Sequence, residues 1–467
     1  MSNAVVSQAE ALKSAFAAHL GSVAARTAQA LEASGFAALL VHSGSLIEVF
    51  QDDRTYPFEA NAPFKVWTPL DVPDCFVWFE PGARPRLILN QPEDYWYKPA
   101  ATPSEYWVDE FDLRAVRERA AARRELPGKL GHAAYIGDAF PGLEAFGVGA
   151  VNPPALMRRL DYVRAVKTPY ELMCLAEANR LGALGHRAAQ RAFTAGACEF
   201  DIELAFLAAC GLREQELPYN PIIALNANGA VLHYQLLEKS PPAELYSLLI
   251  DAGAEFAGYP SDITRTHARE DGDFRALIAA MDGMQQRLCA EVRAGVDWRD
   301  VHLKAHEFTA QVLKEADLIL CAPEEAVERE VTRVFLPHGI GHLLGLEVHD
   351  VGGFMASAEG GEIERPPGHP YLRLTRRLET GFVVTMEPGI YFIDPLLEAA
   401  RADERAPLIN WSRVGELSRY GGIRIEDDLA VTAAGCENLT RLAFRAVDAH
   451  AKEAQDVTEL GSLLERG

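Results

Sequence analysis

The sequence predicts a compact α/β domain at the N-terminus, followed by an α+β domain built from two similar halves. In the first part of the chain, apolar runs of strand length alternate with helical patterns. Beyond Asn152-Pro153-Pro154 the order changes to helices, a hairpin, helices and a second hairpin. The chain has 467 residues, which is enough for two or three domains with hydrophobic cores.

The first domain alternates the two types of element. Its predicted elements are a helix at 7–34, strands at 36–41, 75–79 and 86–89, a helix at 112–124 and a strand at 131–136. Pro154 favours a helix start, so we predict a linking helix at 154–166. This places one domain at 1–158 and the second at 159–467.

The second domain has its elements in two similar sets. The predicted elements are helices at 169–192 and 199–215, strands at 222–225, 230–234, 246–252 and 260–268, helices at 272–294 and 298–315, and strands at 381–393 and 421–431. Residues 448–467 are polar and helix-prone, which predicts a peripheral tail.

Composition excludes several classes of function. The net charge of -22 disfavours nucleic acids and anionic membranes as partners. Seven scattered cysteines without a CxxC pair indicate a reducing compartment. Glu10 and Lys13 interrupt any signal-peptide core, and no run is long and apolar enough for a transmembrane helix. We therefore expect a cytoplasmic protein.

Five residues in short apolar or glycine-rich blocks form a candidate metal-ligand set. The blocks LLIDAGAE, SDITRT, PHGIGH, VTMEPGIYF and GGIRIEDD contain Asp251, Asp262, His342, Glu387 and Glu426. A carboxylate in an apolar strand is costly to bury unless it is paired or binds a metal. Close carboxylates repel each other, and a shared cation removes that repulsion. The set predicts two divalent metal ions and metal-assisted hydrolysis.

Local patterns make this geometry plausible. A hairpin can place Asp251 beside Asp262, and strand alternation puts Arg424 on the same face as Glu426. Arg424 is therefore expected to orient the carboxylates from outside the ligand set. Oxygen ligands with one imidazole suit Mn²⁺, Co²⁺ or Zn²⁺.

The histidine-rich block is a loop. His338, His342 and His349 lie among several glycines, which are poor helix formers. The HxxxH spacing of His338 and His342 is therefore not read as a zinc-protease helix. Histidines at this density favour a functional role over packing.

The five blocks resemble the signature of the pita-bread metallopeptidases, which include methionine aminopeptidase, aminopeptidase P, prolidase and creatinase. The resemblance implies a pita-bread (creatinase/aminopeptidase-like) second domain with pseudo-two-fold halves, and five ligands for two metals. The segments 42–61, 217–237, 337–354 and 410–429 resemble bacterial Xaa-Pro dipeptidases (prolidases), a subgroup that includes organophosphorus acid anhydrolases. The resemblance covers roughly 10–445. Leu343 and Glu347 depart from the pattern and flank His342.

The resemblance assigns further roles residue by residue. His338 and His349 would bind substrate or stabilise the tetrahedral intermediate, and His233 would contact substrate. Arg373 would receive the prolyl carboxylate, a role that suits a forked guanidinium. Tyr219 matches a pocket residue.

The resemblance also implies a homodimer in which the N-terminal domain of one subunit closes over its partner's site. Asp52 and Trp96 fall in the segments that would make this contact.

The sequence therefore predicts a metal-dependent dipeptidase that takes a dipeptide with C-terminal proline, uses two Mn²⁺ ions per subunit, and relays a proton through Glu387. Three alternatives remain at this stage. An aminopeptidase P-like enzyme would act on longer Xaa-Pro peptides, and an organophosphorus acid anhydrolase would act on phosphotriesters. A non-catalytic binding protein would have lost ligands, and none is lost here.

Overall fold

A computed structural model describes residues 3–464. Within these residues it contains two compact units, one of residues 3–173 and 355–361 and the other of residues 174–354 and 362–464. The first is α/β and the second is α+β, so the predicted fold class is confirmed. Within residues 3–464, no helix is long and apolar enough to cross a membrane.

The first unit is built on a six-stranded mixed sheet. In spatial order its strands are Asp112–Val116, Arg86–Asn90, Phe76–Phe79, Ala38–His42, Ala133–Ile136 and Ala150–Val151. The central strand Ala38–His42 is buried along its whole length, because it pairs with a neighbour on each side. The helices of this unit are Asn3–Ser34, Ala62–Lys65 and Pro154–Arg164. Arg26 Nη1 donates to the carbonyl of Val163 at 3.3 Å, so the helix around the predicted 158/159 boundary packs against the first helix.

The helix predicted at 112–124 is wrong. Residues Asp112–Val116 form an edge strand and Arg119–Glu125 form a 3₁₀ helix. The strand pairs in parallel with Arg86–Asn90, and Arg86 Nε contacts Asp112 Oδ2 at 2.8 Å. These long-range contacts outweigh the helix propensity of the local sequence.

The second unit contains two three-stranded antiparallel sheets. One has the order Thr264–Ala268, Ser247–Asp251, Ile222–Leu225, and the other has the order Val383–Met386, Asp427–Val431, Cys436–Asn438. A strand pair, Gly389–Tyr391 with Gly422–Arg424, extends the second hairpin. The two hairpins meet where Glu426 N donates to Thr264 O at 3.1 Å. This junction brings the acidic blocks of both halves together.

Helices surround these sheets. They are Pro169–Ala195, Glu199–Cys210, Asp273–Glu291, Trp298–Glu315, Pro323–Glu328, Thr332–Phe335, Asp394–Arg401, Trp411–Leu417 and Leu439–Leu464. Short pairs, Glu255–Phe256 with Tyr259–Pro260 and Met355–Ser357 with Gly360–Glu362, form tight hairpins. The predicted tail at 448–467 continues the last helix to Leu464, and residues 465–467 lie outside the described residues.

Two predicted strands of the second hairpin are each interrupted. The predicted strand 381–393 breaks after Met386, and 421–431 breaks after Arg424. Pro388 has no N–H to donate and does not continue a ladder. The breaks lie opposite each other, since Ile425 N donates to Pro388 O at 3.3 Å.

The strand predicted at 230–234 is also absent. A 3₁₀ helix, Asn226–Ala230, precedes an irregular segment there. Asn226 has a positive φ of 56°, and its Oδ1 accepts from Tyr246 N at 2.7 Å. This side-chain bond stabilises a turn where a strand would otherwise continue.

Candidate metal centre

The candidate ligands lie where strands end or break. Asp251 ends the strand Ser247–Asp251, and Asp262 precedes the strand that pairs with it. Glu387 and Glu426 occupy the opposed breaks of the second hairpin. Their backbone amides bond outside that hairpin, Glu387 N to Ile340 O at 2.9 Å and Glu426 N to Thr264 O at 3.1 Å. Because of the breaks, the alternation of a continuous strand does not set the direction of the two glutamate side chains.

A close contact between a loop and a strand positions His342. Thr385 N donates to His342 O at 3.0 Å, and His342 N donates to Thr385 Oγ1 at 3.2 Å. Gly341 permits this approach, because its φ is +153° and a Cβ there would lie 2.1 Å from Thr385 O. The glycine-rich loop therefore packs tightly against the strand Val383–Met386, which precedes Glu387.

The five side chains converge. Ligand atoms of Asp262, His342 and Glu426 lie within 4.8 Å of one another, and all three residues are buried. His342 Nε2 lies 3.4 Å from Asp262 Oδ2 and 3.9 Å from Glu387 Oε1. Asp251 lies across the hairpin from Asp262. Burial raises the pKa of Asp251, and the negative charge of Asp262 acts in the same direction.

The centre carries more negative charge than its surroundings neutralise. Burial and the neighbouring carboxylates raise the pKa of Glu426 well above its usual range. Burial raises the pKa of Glu387 to about 7, although His342 and Arg424 oppose the change. Burial also acts to raise the pKa of Asp262, but its hydrogen bond with His342 brings the net value below the usual range. Such carboxylates favour a bound cation.

Arg424 is a buried positive group beside this set. Its Nη2 donates to Asp251 Oδ2 at 2.6 Å, and its Nη1 donates to Tyr391 Oη at 2.9 Å. Thr264 Oγ1 accepts from Arg424 Nε at 3.2 Å and donates to Glu426 Oε2 at 2.7 Å. The guanidinium thus contacts Asp251 directly and Glu426 through Thr264, and its orienting role stays a prediction.

Three further residues, not singled out from the sequence, support the ligands. Asp428 Oδ2 accepts from Asp262 N at 3.1 Å and from Asn179 Nδ2 at 2.8 Å. Tyr391 Oη lies 2.9 Å from His338 Nε2 and links that histidine to Arg424. The run Glu426-Asp427-Asp428 inside an apolar strand is a signal that could have indicated the role of Asp428.

The other predicted residues of this unit surround the centre. The rings of His342 and His349 have centroids 4.4 Å apart, and His338 Nδ1 lies 3.8 Å from Glu387 Oε2. His233 is exposed, and its charge lowers the pKa of both His338 and His349 after the larger effect of burial.

Arg373 and Tyr219 differ in their surroundings. Arg373 is exposed, lies within electrostatic reach of His349, and forms no hydrogen bond or ion pair from its guanidinium to another described residue. Tyr219 Oη is buried and has no hydrogen-bond partner among the described residues. Burial and the charges of Asp262 and Asp251 raise its pKa.

Asp52 and Trp96 belong to the first unit. Trp96 is 76% exposed, and Asp52 Oδ2 pairs with Arg54 Nε at 2.8 Å. Their predicted role needs a second subunit and stays a prediction.

Comparison with known proteins identifies the family. The model of metallopeptidase family M24 matches residues 173–433. The chain belongs to metallopeptidase family M24. A second model, described as the N-terminal domain of Xaa-Pro dipeptidase, matches residues 14–162.

Two curated relatives are similar to this chain over nearly its whole length. An Xaa-Pro dipeptidase of Xanthomonas axonopodis pv. citri (strain 306) is 48% identical over 437 residues, 93% of this chain and 99% of the relative. That of Stenotrophomonas maltophilia (strain K279a) is 48% identical over 432 residues, 92% of this chain and 97% of the relative.

Aminopeptidase P from E. coli with the inhibitor Pro-Leu has a TM-score of 0.68 at 22% identity, and covers 90% of this chain and 94% of its own. The proline aminopeptidase P II from Yersinia pestis has a TM-score of 0.67 at 23% identity, with coverages of 90% and 96%. These structures share the fold, so the predicted pita-bread fold is confirmed. The M24 family implies divalent metal ions.

Proposed function

We propose that this M24 metallopeptidase hydrolyses Xaa-Pro dipeptides. The observation that carries the proposal is the converged set of four carboxylates and one histidine, with the exposed guanidinium of Arg373 within electrostatic reach of His349, which packs against His342. The curated relatives at 48% identity are named Xaa-Pro dipeptidases, which supports the same substrate class.

The residues of the centre fit two divalent ions. Asp251, Asp262, His342, Glu387 and Glu426 would hold them, and Asp251 Oδ1 is buried with no hydrogen-bond partner among the described residues. Oxygen donors with one imidazole suit Mn²⁺, our proposed native metal, with Co²⁺ and Zn²⁺ as alternatives. When bound, two such ions activate a water as nucleophile and polarise the scissile carbonyl.

The side chains around the centre would position the substrate and move its proton. Arg373 would bind the C-terminal carboxylate through a forked pair of hydrogen bonds. His338, His349 and His233 would donate to the carbonyl oxygen as it becomes an oxyanion. Glu387 would carry the proton from the nucleophile to the leaving imide nitrogen. Arg424 would orient the ligand carboxylates, and Tyr219 would line the substrate pocket.

A proline imide lacks the N–H that general peptidases bind. The contact with Arg373 would instead select a dipeptide by its C-terminal carboxylate. The test is hydrolysis of Ala-Pro against Ala-Pro-Ala by the Mn²⁺-loaded protein. Preference for Ala-Pro supports the proposal. Preference for Ala-Pro-Ala would identify an aminopeptidase P-like activity.

We also propose a homodimer, because two segments of the first unit expose large apolar side chains. Phe50 is 85% exposed and Tyr95 is 87% exposed, and each lies close in sequence to Asp52 or Trp96. A second copy of this chain would cover them and bring Asp52 and Trp96 to its site. Light scattering should give about twice the mass of 51.2 kDa, and Phe50→Ser should reduce it. A monomer at micromolar concentration would contradict this arrangement.

A cytoplasmic location agrees with the thiols. All seven cysteines lie within the described residues and are free, six of them buried. Free thiols are typical of a reducing compartment.

A further inference from the structure

A second cluster of histidines lies in the same unit, outside the candidate metal centre. His302 and His306 lie one turn apart on the helix Trp298–Glu315, and His369 lies in the loop after Pro366-Pro367. One ring nitrogen from each comes within 4.8 Å of the others. The three ring centroids are 4.6, 4.8 and 5.0 Å apart. Residues four apart on a helix share one face, so the helix presents two imidazoles to the third.

The hydrogen bonds of the cluster leave ring nitrogens unpaired. His302 Nε2 lies 2.9 Å from His369 Nδ1, and His306 Nδ1 lies 3.0 Å from Thr332 Oγ1. His306 Nε2 and His302 Nδ1 are buried without a partner among the described residues. His306 is only 3% exposed, so solvent does not satisfy its Nε2. Leaving a buried polar atom without a hydrogen-bond partner is unfavourable, which favours a ligand at this position.

The imidazoles are in the form that binds metals. Burial lowers the pKa of His302 to about 2 and that of His306 to about 3, and it lowers the pKa of His369 as well. Neutral imidazole is the ligating form. Arg333, whose charge lowers the pKa of His306 and His369 after the larger effect of burial, is itself paired with Glu330 at 2.7 Å.

We propose that His302, His306 and His369 form a mononuclear site for a transition metal ion of the zinc type, separate from the carboxylate centre. Three nitrogen donors suit Zn²⁺, Ni²⁺ or Co²⁺ better than Mn²⁺ or Mg²⁺. Zinc–nitrogen bonds of about 2.0–2.1 Å place ligand nitrogens about 3.3 Å apart. The helix holds two of the donors, and His369, on a loop, supplies the movement that closes the site. The bond of His306 Nδ1 to Thr332 fixes the ring so that Nε2 is free to ligate.

The position of His369 gives the site a structural role. His369 precedes Arg373 by four residues, so an ion here would tie the segment that carries Arg373 to the helix Trp298–Glu315. The fourth ligand would be water, which enters from the side of the half-exposed His369.

The test measures zinc bound by the full-length protein. Wild type, His369→Gln and His302→Gln are loaded with Mn²⁺, equilibrated with Zn²⁺ and assayed for zinc per chain. The matched control is His132→Gln, which alters an exposed histidine of the other unit. We expect both cluster variants to bind about one zinc fewer than wild type and the control. Equal zinc in all four proteins would overturn the proposal.

A second measurement separates this site from the carboxylate centre. Asp262→Ala should bind about one zinc ion more than the double variant Asp262→Ala/His369→Gln, and the difference between their X-ray absorption spectra should be typical of imidazole nitrogen ligands. A difference spectrum with carboxylate oxygens as the main ligands would overturn the assignment. His369 is on a half-exposed loop, so its variant should keep the wild-type circular dichroism, and it decides the test if His302→Gln fails to fold.

Discussion

Arg424 Nη2 donates a hydrogen bond to Asp251 Oδ2 at 2.6 Å, and both groups lie beside three other acidic side chains. This pair gives the candidate centre a fixed positive group before any metal binds. Removing the guanidinium would leave Asp251 free to turn and would add to the repulsion among the carboxylates.

Arg424→Gln should therefore weaken metal binding and activity by about 10- to 100-fold. Arg424→Lys should not restore them, because lysine does not reproduce the three bonds to Asp251, Tyr391 and Thr264. Metal titration followed by Ala-Pro hydrolysis checks this. The control is Arg419→Gln, an exposed arginine in the 3₁₀ helix Ser418–Tyr420, which precedes the strand Gly422–Arg424. Unchanged metal affinity in Arg424→Gln would contradict the role.

Asp262→Ala and Glu387→Ala should each abolish peptidase activity and leave the fold nearly intact. The remaining carboxylates can still bind one metal or a counter-ion, so circular dichroism should match wild type. Metal content and Ala-Pro turnover are measured together. Asp271→Ala removes an exposed carboxylate and should be silent. Full metal content with most activity retained in either variant would rule out the dinuclear assignment.

Arg373→Ala should weaken Xaa-Pro dipeptides far more than the corresponding Xaa-Pro amides, because only the dipeptide offers a carboxylate to the guanidinium. A charge-assisted hydrogen bond contributes about 1.5–3 kcal/mol, which is roughly ten- to a hundredfold in kcat/KM. Arg377→Ala, which changes an exposed arginine nearby, is the matched control. Equal losses on both substrate types would mean that Arg373 does not bind the carboxylate.

We expect slow cleavage of a small organophosphate with a good leaving group. A tetrahedral phosphoryl centre is similar in shape to the peptide intermediate, and His233, His338 and His349 would donate to its oxygen. Peptides should remain the better substrates, because a neutral phosphotriester gains nothing from Arg373. The activity should need Mn²⁺ and be inhibited by Ala-Pro. Turnover that survives in the Asp262→Ala variant would place it elsewhere.

Asp74 should make the first unit sensitive to acid. Burial acts to raise its pKa, but hydrogen bonds from His42, Ser45 and Arg119 lower it from 3.8 to about 2. The unfolded chain then binds the proton more tightly than the folded one, so the stabilisation is present above pH 4. It is lost as the pH falls towards 2.

The shift corresponds to about 2 kcal/mol. Asp74→Asn should lose this stability at pH 7 and show a flatter dependence between pH 5 and pH 2, measured by urea unfolding. Asn tolerates the left-handed backbone at this position, where φ is 58°. Asp53→Asn, which changes an exposed carboxylate of the same unit, is the control. If Asp74→Asn loses as much stability as wild type between pH 5 and pH 2, the assignment is contradicted.

The proximity of Asp251 and Asp262 could be predicted from the sequence, because the strands Ser247–Asp251 and Thr264–Ala268 follow each other closely along the chain and such strands usually pair. It did not predict the strand Asp112–Val116, since that strand depends on parallel pairing with a segment more than twenty residues away. Alanine- and arginine-rich sequence favours a helix when local preference alone is considered.

The break after Met386 and the break after Arg424 were also not predicted. Pro388 is visible in the sequence, but the opposing break depends on the register of two distant strands. Part of the histidine cluster could be predicted from the sequence, since His302 and His306 are four residues apart in a helical pattern. The third member, His369, lies 63 residues beyond His306 along the chain, and only the fold brings it there.

The opposed breaks of the second hairpin determine where this chain can change length. A residue inserted between Phe382 and Glu387 would move Glu387 out of the break that faces Ile425 and take its backbone amide away from Ile340 O. The connection between Tyr391 and Gly422 has no such constraint near Asp403-Glu404, where both side chains are exposed. Relatives should therefore differ in loop length there, and an affinity tag or fluorescent insertion at that turn should leave turnover unchanged.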